Sequence, residues 1–159
     1  MKGFKMSKCK NIFFLVVLFS FTSSAQDIIS FEKLDSLQQI KEKPVIIFFY
    51  TSWCRYCHVM KNSTFKHNEV KNILNEKFYF VAFDIEEKKD IKFRGTTYKF
   101  KPNGINTGVH QLAEKLGTTE GELRYPLISI LNTDYEIIYQ KEGFISSGEF
   151  ILLLIHLKL

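Results

Sequence analysis

Cysteine is scarce in this chain, and the chain also lacks long apolar runs and a large excess of charge. The 159 residues include three cysteines, of which only Cys54 and Cys57 follow the N-terminal segment. Two cysteines so close together close too small a loop to staple a fold, because the stabilisation from loop closure grows with loop length. A scaffold held together by disulfides is therefore disfavoured, and a reactive dithiol is the stronger interpretation.

The N-terminal segment has the layout of a secretory signal peptide. Several lysines precede an apolar run from Ile12 to Phe21, and Ser23-Ser24-Ala25 then offers small residues for cleavage. The run is shorter than the roughly 20 apolar residues that a bilayer span needs, so an uncleaved anchor is the weaker alternative. We predict a signal peptide over residues 1–25, one domain over residues 26–159, and export to the periplasm.

The basic charge of the chain comes mostly from this leader. The whole sequence has 22 basic and 17 acidic residues, a formal net charge of +5. Four of the lysines and none of the acids lie in the leader, so the remaining chain has a net charge of about +1. A nearly balanced charge gives no reason to expect a nucleic-acid partner.

Segments with helical and strand patterns alternate along the rest of the chain. An apolar stripe predicts a helix from Phe31 to Ile40 with Ser30 as its N-cap. The continuous apolar runs 45–50 and 78–83 predict strands that are buried on both faces, and two further strands are predicted around the turn Asn132-Thr133-Asp134. The predicted strands are 45–50, 78–83, 127–131 and 136–140, and the further predicted helices are a segment running through Met60, 68–75, 109–116 and 146–157.

The stretch WCRYCH, Trp53 to His58, fits two kinds of chemistry. C-x-x-C is the motif of a redox-active dithiol, whereas C-x-x-C-H is the motif that attaches c-type haem. A c-type haem usually needs a second axial ligand, and Met60 is too close in sequence to reach the opposite haem face. The distant residues that remain as candidate ligands are His67, His110 and His156.

A dithiol without a cofactor is the better interpretation of this stretch. A buried strand that leads directly into the motif is foreign to small helical cytochromes. A zinc site built from Cys54, Cys57 and His58 lacks a convincing fourth ligand. We therefore predict neither haem nor a bound metal.

A helix that begins at the first cysteine favours a reactive sulfur. The thiolate is the attacking species in disulfide exchange, and a free thiol with a pKa of about 8.5 is mostly protonated at neutral pH. Unpaired N–H groups and the positive end of the helix dipole favour the anion at Cys54. Arg55 adds a nearby cation, and Cys57 lies one helical turn further on, where it can close back onto Cys54.

The order of these features resembles the thioredoxin-like family. The features are an apolar strand, TSWCRYC at the head of a helix, a second strand ending in VAFDIE, and Tyr125-Pro126 before a hairpin and a last helix. WCRYCHVMKNSTFKHNEV is most similar to the branch that contains the C-terminal domain of the periplasmic reductase DsbD. The resemblance covers residues 45–157 and implies an α/β thioredoxin fold with a central mixed β-sheet flanked by helices.

The resemblance also implies roles for individual residues. Cys54 is the nucleophile and Cys57 the resolving thiol. Trp53 is the aromatic residue beside the site, and Pro126 is a loop proline that faces the dithiol and follows a cis bond from Tyr125, whose backbone can pair with a substrate strand. An X-Pro bond is the only peptide bond for which the cis form costs little, about 0.5–1 kcal/mol. A trans proline that opens an edge strand is the alternative.

The chain departs from the thioredoxin pattern at two places. Phe48 stands where that pattern has a buried acid, so proton transfer to and from Cys57 must use water or another group. His58 is the candidate proton relay, because an ordinary pKa near about 6.5 suits that task; an exposed histidine without a role is the alternative. Arg55-Tyr56 replaces the usual Gly-Pro, which leaves the redox potential open.

Residues 86–108 form an insertion before the cis-proline loop. Alternating apolar and basic residues around Arg94-Gly95-Thr96-Thr97 predict a small β-hairpin that ends at Pro102-Asn103-Gly104. Such an insertion fits a partner-docking or dithiol-shading role and fits surface elaboration equally well.

Together these features predict an exported thiol–disulfide oxidoreductase of the protein-disulfide reductase type. The expected partners are protein thiol or disulfide clients and an upstream electron donor, such as a membrane thiol–disulfide reductase. A thioredoxin-like binding or chaperone module without turnover is the alternative. The two differ in whether function survives the loss of Cys54.

Overall fold

The computed structural model describes residues 27–157, so the predicted signal peptide lies outside the described residues. The first half of the described chain contains α1 (Phe31–Ile40), β1 (Val45–Tyr50), α2 (Arg55–Asn62), α3 (Asn68–Lys77) and β2 (Tyr79–Asp84). Short elements follow: β3 (Ile91–Phe93), β4 (Thr96–Tyr98), β5 (Phe100–Pro102), β6 (Gly108–His110), α4 (Gln111–Gly117), β7 (Thr118–Thr119) and β8 (Glu122–Leu123). The chain then forms β9 (Leu127–Leu131), β10 (Ile137–Glu142) and α5 (Ser147–His156).

Four of these strands form a mixed central sheet in the order β10-β9-β1-β2. β1 pairs in parallel with β2 and antiparallel with β9, and β10 pairs antiparallel with β9. Helices pack on both faces, which confirms the predicted α/β architecture. None of the helices within residues 27–157 is long and apolar enough to cross a bilayer.

The continuous apolar run of β1 is explained by burial on both sides of the sheet. Val45, Ile47 and Phe49 point into one core, which α1 and α4 cover. Ile46 and Phe48 point into a second core, which α2, α3 and α5 cover and which also contains both cysteines. Alternate residues of a strand face opposite sides, so a strand that is covered twice has no polar face.

Two details of the sequence prediction are wrong. Ile40, the last residue of the predicted apolar stripe of α1, is exposed, and that helix contacts the core through Phe31, Leu34 and Leu37. Val109, predicted to be helical, lies in β6 opposite Lys101, and α4 begins only at Gln111. Ser30 occupies the predicted N-cap position of α1, but its side chain makes no capping hydrogen bond.

The insertion contains two hairpins rather than one. The predicted hairpin is present as β3–β4, turning at Arg94 and Gly95, which both have positive φ. A second hairpin, β5–β6, was not predicted, because Pro102 indicates the end of the first hairpin. In the structure Pro102 instead lies in β5 and pairs with Gly108 of β6. A Cβ at Gly108 would overlap the Lys101 carbonyl oxygen, so the close pairing requires glycine there.

The first hairpin belongs to the core rather than to the surface alone. Ile91 and Phe93 are buried, and the Phe93 ring lies edge-on to Phe31 of α1 with centroids 5.3 Å apart. Phe93 also contacts Tyr135 in the turn between β9 and β10, at 5.0 Å. The hairpin therefore covers one end of α1.

A buried histidine lies where the insertion joins α4. The side chain of His110 is fully buried, and its Nδ1 accepts the Leu112 N–H at 3.2 Å. Its Nε2 has no hydrogen-bond partner among the described residues, and the ring lies edge-on to Phe83. Burial lowers the pKa of His110, and the nearby Lys89 and Tyr98 carbonyls offset only part of that effect.

We expect the protein to lose stability as the pH falls below about 6.5. The folded pKa of His110 is lowered, so the unfolded chain binds more protons in this range and the free energy of unfolding falls with pH. The contribution of one histidine is at most about 1.4 kcal/mol per pH unit. Urea unfolding between pH 7 and pH 5 measures it. His110→Gln should flatten this dependence, whereas His67→Gln, at an exposed site, should not; equal slopes in the two variants contradict the assignment.

Candidate active site

Cys54 and Cys57 form a disulfide at the start of α2. Their Cα atoms are 5.2 Å apart. Cys54 is the N-cap of the helix, and its Sγ accepts the Cys57 N–H at 3.1 Å. The turn after β1 places it there, since the Cys54 N–H donates to the Thr51 carbonyl at 3.2 Å. The first sulfur therefore lies at the end of the helix where unpaired N–H groups favour an anion.

The two sulfurs differ in exposure. Cys54 retains 7% of its accessible surface, and Cys57, on the inner side of the helix, retains 1%. Arg55 and Tyr56, which separate them, are exposed. A client disulfide can thus approach Cys54 but not Cys57. This difference agrees with the predicted nucleophile and resolving thiol, whose roles remain predictions.

Two of the predicted substrate-binding residues, Trp53 and Tyr125, contact each other next to Cys54, and the position of Pro126 facing the dithiol stays a prediction. The Trp53 and Tyr125 rings are edge-on with centroids 5.3 Å apart. The Tyr125-Pro126 bond is cis, as predicted, and Tyr125 packs against the core cluster that contains both cysteines. Trp53 is exposed, so this pair of rings forms an aromatic surface next to Cys54.

Glu86 is a residue of this site that the sequence analysis missed. Its Oε2 accepts the Trp53 Nε1–H at 3.1 Å, which fixes the orientation of the indole. It follows directly after β2, whose carboxyl end lies beside that of β1. Nothing in the local sequence distinguishes it from Glu87, because the contact depends on the pairing of the two strands.

Among the described residues, the His58 ring makes no hydrogen bond to either cysteine. His58 meets the dithiol only through its backbone N–H, which donates to the Cys54 carbonyl at 3.1 Å. Its side chain is exposed on α2. Phe48, at the position of the missing acid, is fully buried. The proton relay remains a prediction. Within residues 27–157, no group of three or more His, Cys, Asp or Glu residues could hold a metal ion.

Other polar groups lie at the carboxyl ends of β1 and β2, close to the turn that leads from β1 to the dithiol. Asp84 is the strand partner of Tyr50, the last residue of β1. Burial raises the pKa of Asp84, while the Glu86 N–H and Lys61 partly oppose this. The Lys61 Nζ lies 3.0 Å from the centroid of the Tyr50 ring. These groups were not predicted, because α2 and β2 bring them together from separate parts of the chain.

Comparisons with known proteins agree with this geometry. A thioredoxin-like family model matches residues 32–132. Spermatogenesis-associated protein 20 of Rattus norvegicus is 35% identical over 51 residues, 32% of this chain and only 6% of that protein. The chain therefore spans a small part of the curated relatives that it matches.

Solved structures share the fold over most of the described chain. The oxidoreductase DsbH superposes with a TM-score of 0.58 at 13% identity, covering 96% of this chain and 92% of that one. The reduced C-terminal domain of Neisseria meningitidis DsbD gives 0.51 at 17% identity, covering 78% and 90%. These likenesses confirm the predicted thioredoxin fold.

Proposed function

Because this chain belongs to the thioredoxin-like family, we propose that it is an exported disulfide reductase that works through Cys54 and Cys57. The observation that carries the proposal is the Cys54–Cys57 disulfide, with the first sulfur at the N-cap of α2. A thioredoxin-like fold with such a pair supports thiol–disulfide oxidoreductase chemistry in general. We propose in addition that the protein is exported, acts on protein clients and passes electrons to them.

In the proposed reaction the reduced Cys54 thiolate attacks one sulfur of a client disulfide. The client S–S bond breaks, a mixed disulfide forms with Cys54, and one client sulfur leaves as a thiolate. Cys57 gives its proton to water or to His58 and attacks the Cys54 sulfur. The second client thiolate leaves and the Cys54–Cys57 disulfide forms, so two electrons have passed to the client, whose thiolates take protons from water. An upstream dithiol donor then reduces the protein again.

The surroundings of the dithiol fit a protein client. Trp53 and Tyr56 are about two-thirds exposed on either side of Cys54, and aromatic side chains supply large contact areas in protein interfaces. The same surface favours the second candidate, a binding or chaperone module that holds unfolded segments without turnover. Only the first candidate requires the sulfur of Cys54.

Export and the electron donor rest on the sequence alone. Residues 1–25 support secretion to the periplasm, where disulfides form and persist. A reductase in that compartment needs a source of electrons. We propose that a membrane thiol–disulfide reductase supplies them.

The direction of electron flow can be predicted from the charges around Cys54. Helix amides and Arg55 stabilise the thiolate and hence the reduced form, which makes the disulfide more oxidising. However, an exposed charge contributes only about 0–1 kcal/mol, and Arg55 is exposed. At about 30 mV per 1.4 kcal/mol, this raises the potential by roughly 20 mV. The gap between thioredoxin, near about −270 mV, and the strongest dithiol oxidants, near about −120 mV, is far larger.

We therefore expect a reduction potential below about −150 mV when the protein is equilibrated with glutathione. The fraction of free thiols at each glutathione ratio gives the value. Arg55→Gln should lower it by no more than roughly 20 mV. A value above about −150 mV makes the protein an oxidant and contradicts the proposed direction, while leaving its thiol chemistry intact.

A further inference from the structure

A concave cavity of about 610 Å³ lies at the β2 edge of the sheet, beside α2 and α3. Its floor is apolar and includes Phe65, Phe80 and Ala82, while Phe48, the strand partner of Ala82, borders the cavity but is itself fully buried. The volume is within the range of about 300–1,000 Å³ that small-molecule sites usually have.

The charged residues that line this cavity all have the same sign. They are Lys61, Lys66 and Lys71, and no Asp or Glu is among the described lining residues. The Lys66 Nζ donates to Asn62 Oδ1 at 3.0 Å, and none of the three forms an ion pair with a carboxylate of residues 27–157. The charge of Asp84 raises the pKa of Lys61, but the two side chains are too far apart to form an ion pair.

Lys61 is the cation most suited to meet a ligand. Its Nζ lies over the Tyr50 ring, 3.0 Å from the centroid, and Tyr50 also lines the cavity. This side chain is half-buried, and burial lowers its pKa. A cation that has lost part of its hydration without gaining a carboxylate is stabilised by an anion placed beside it.

We propose that this cavity binds a small single-chain amphipathic carboxylate, of the fatty-acid class. The apolar tail lies against Ile28, Ala82 and the accessible edge of the Phe65 ring, and the carboxylate lies at the lysines. Apolar walls that bury a tail and a few polar groups that fix its head are the usual composition of a ligand site. A ligand with the same apolar tail and a cationic head fits the apolar floor of the cavity, but the lysines repel its head. The charges of the lysines therefore favour a ligand with an anionic head.

The probe that tests the proposal is dodecanoate, titrated into the purified oxidised protein by calorimetry. We expect saturable binding with one site per chain. Dodecyltrimethylammonium, which has the same tail and the opposite charge, should bind at least tenfold more weakly. The double variant Lys61→Gln/Lys66→Gln should bind dodecanoate at least tenfold more weakly than the unchanged protein.

Matched variants separate this site from general charge and from the dithiol. Lys92→Gln/Lys141→Gln removes two exposed lysines outside the cavity and should leave the affinity unchanged. Cys54→Ser/Cys57→Ser should also bind unchanged, so the result does not depend on the redox function. The proposal is overturned if dodecyltrimethylammonium binds as tightly as dodecanoate, or if the two lysine double variants weaken dodecanoate binding equally. It is also overturned if the protein binds anionic phospholipid vesicles but not dodecanoate.

Discussion

The Cys54→Ser protein should reduce insulin disulfides no faster than the dithiothreitol background. A serine hydroxyl stays protonated near neutral pH and cannot form the mixed disulfide, and Cys57, with 1% of its surface exposed, cannot replace it. Turbidity of the released insulin B chain measures the rate. The loss should be complete rather than partial, because no other cysteine lies within residues 27–157.

Cys57→Ser is the matched variant, because it keeps the nucleophile and removes only the resolving thiol. It should also lose turnover, but it should accumulate a client mixed disulfide that a non-reducing gel resolves. Cys54→Ser should form none. Turnover above background by Cys54→Ser refutes the proposed chemistry. The chaperone alternative is supported if the unchanged protein shows no turnover and if Cys54→Ser still binds unfolded clients.

Phe48→Ala should lower the free energy of unfolding by about 3–5 kcal/mol, a large part of the 5–15 kcal/mol that usually stabilises a domain. The Phe48 side chain is fully buried, with its ring 4.8 Å from that of Phe65 and stacked on Tyr50 at 5.7 Å. Its removal enlarges a cavity that already lies beside it. Urea unfolding measures the change.

Phe144→Ala is the control for this substitution, because it removes the same atoms from a side chain that is 43% exposed. It should cost clearly less, since less apolar surface leaves the protein interior. A loss at Phe48 as small as the loss expected at the exposed Phe144 would show that Phe48 is not a packing residue. A cost near 3–5 kcal/mol at Phe48 alone supports the view that this chain uses the position of the missing acid for packing.

The candidate dithiol could be predicted because its evidence is local. A buried strand, a C-x-x-C pair and the following helix occupy consecutive residues, and each has its own pattern. The family resemblance added the cis bond of Tyr125-Pro126, which the structure contains. The roles of Trp53 and His58 were not decided in this way, because they depend on neighbours that are remote in sequence.

The short strands of the insertion show where pattern reasoning fails. β5 and β6 have three residues each, and β6 has no clear alternation of apolar and polar residues, unlike β3, where Lys92 lies between Ile91 and Phe93. Pro102 and Gly108 indicate turns, yet both are paired residues of a hairpin. Their pairing is stabilised by contacts that α4 and the core supply, and no local preference includes those contacts.

The sequence by itself determined the family, the dithiol and the two-sided burial of β1, because each follows from neighbouring residues. The tertiary structure decided which distant side chains meet: Glu86 with Trp53, and Phe48 with Phe65 above a cavity lined by lysines. Such contacts depend on how strands pair and how helices cross the sheet. Many residue combinations satisfy the same local pattern, so packing and not propensity selects the one that forms.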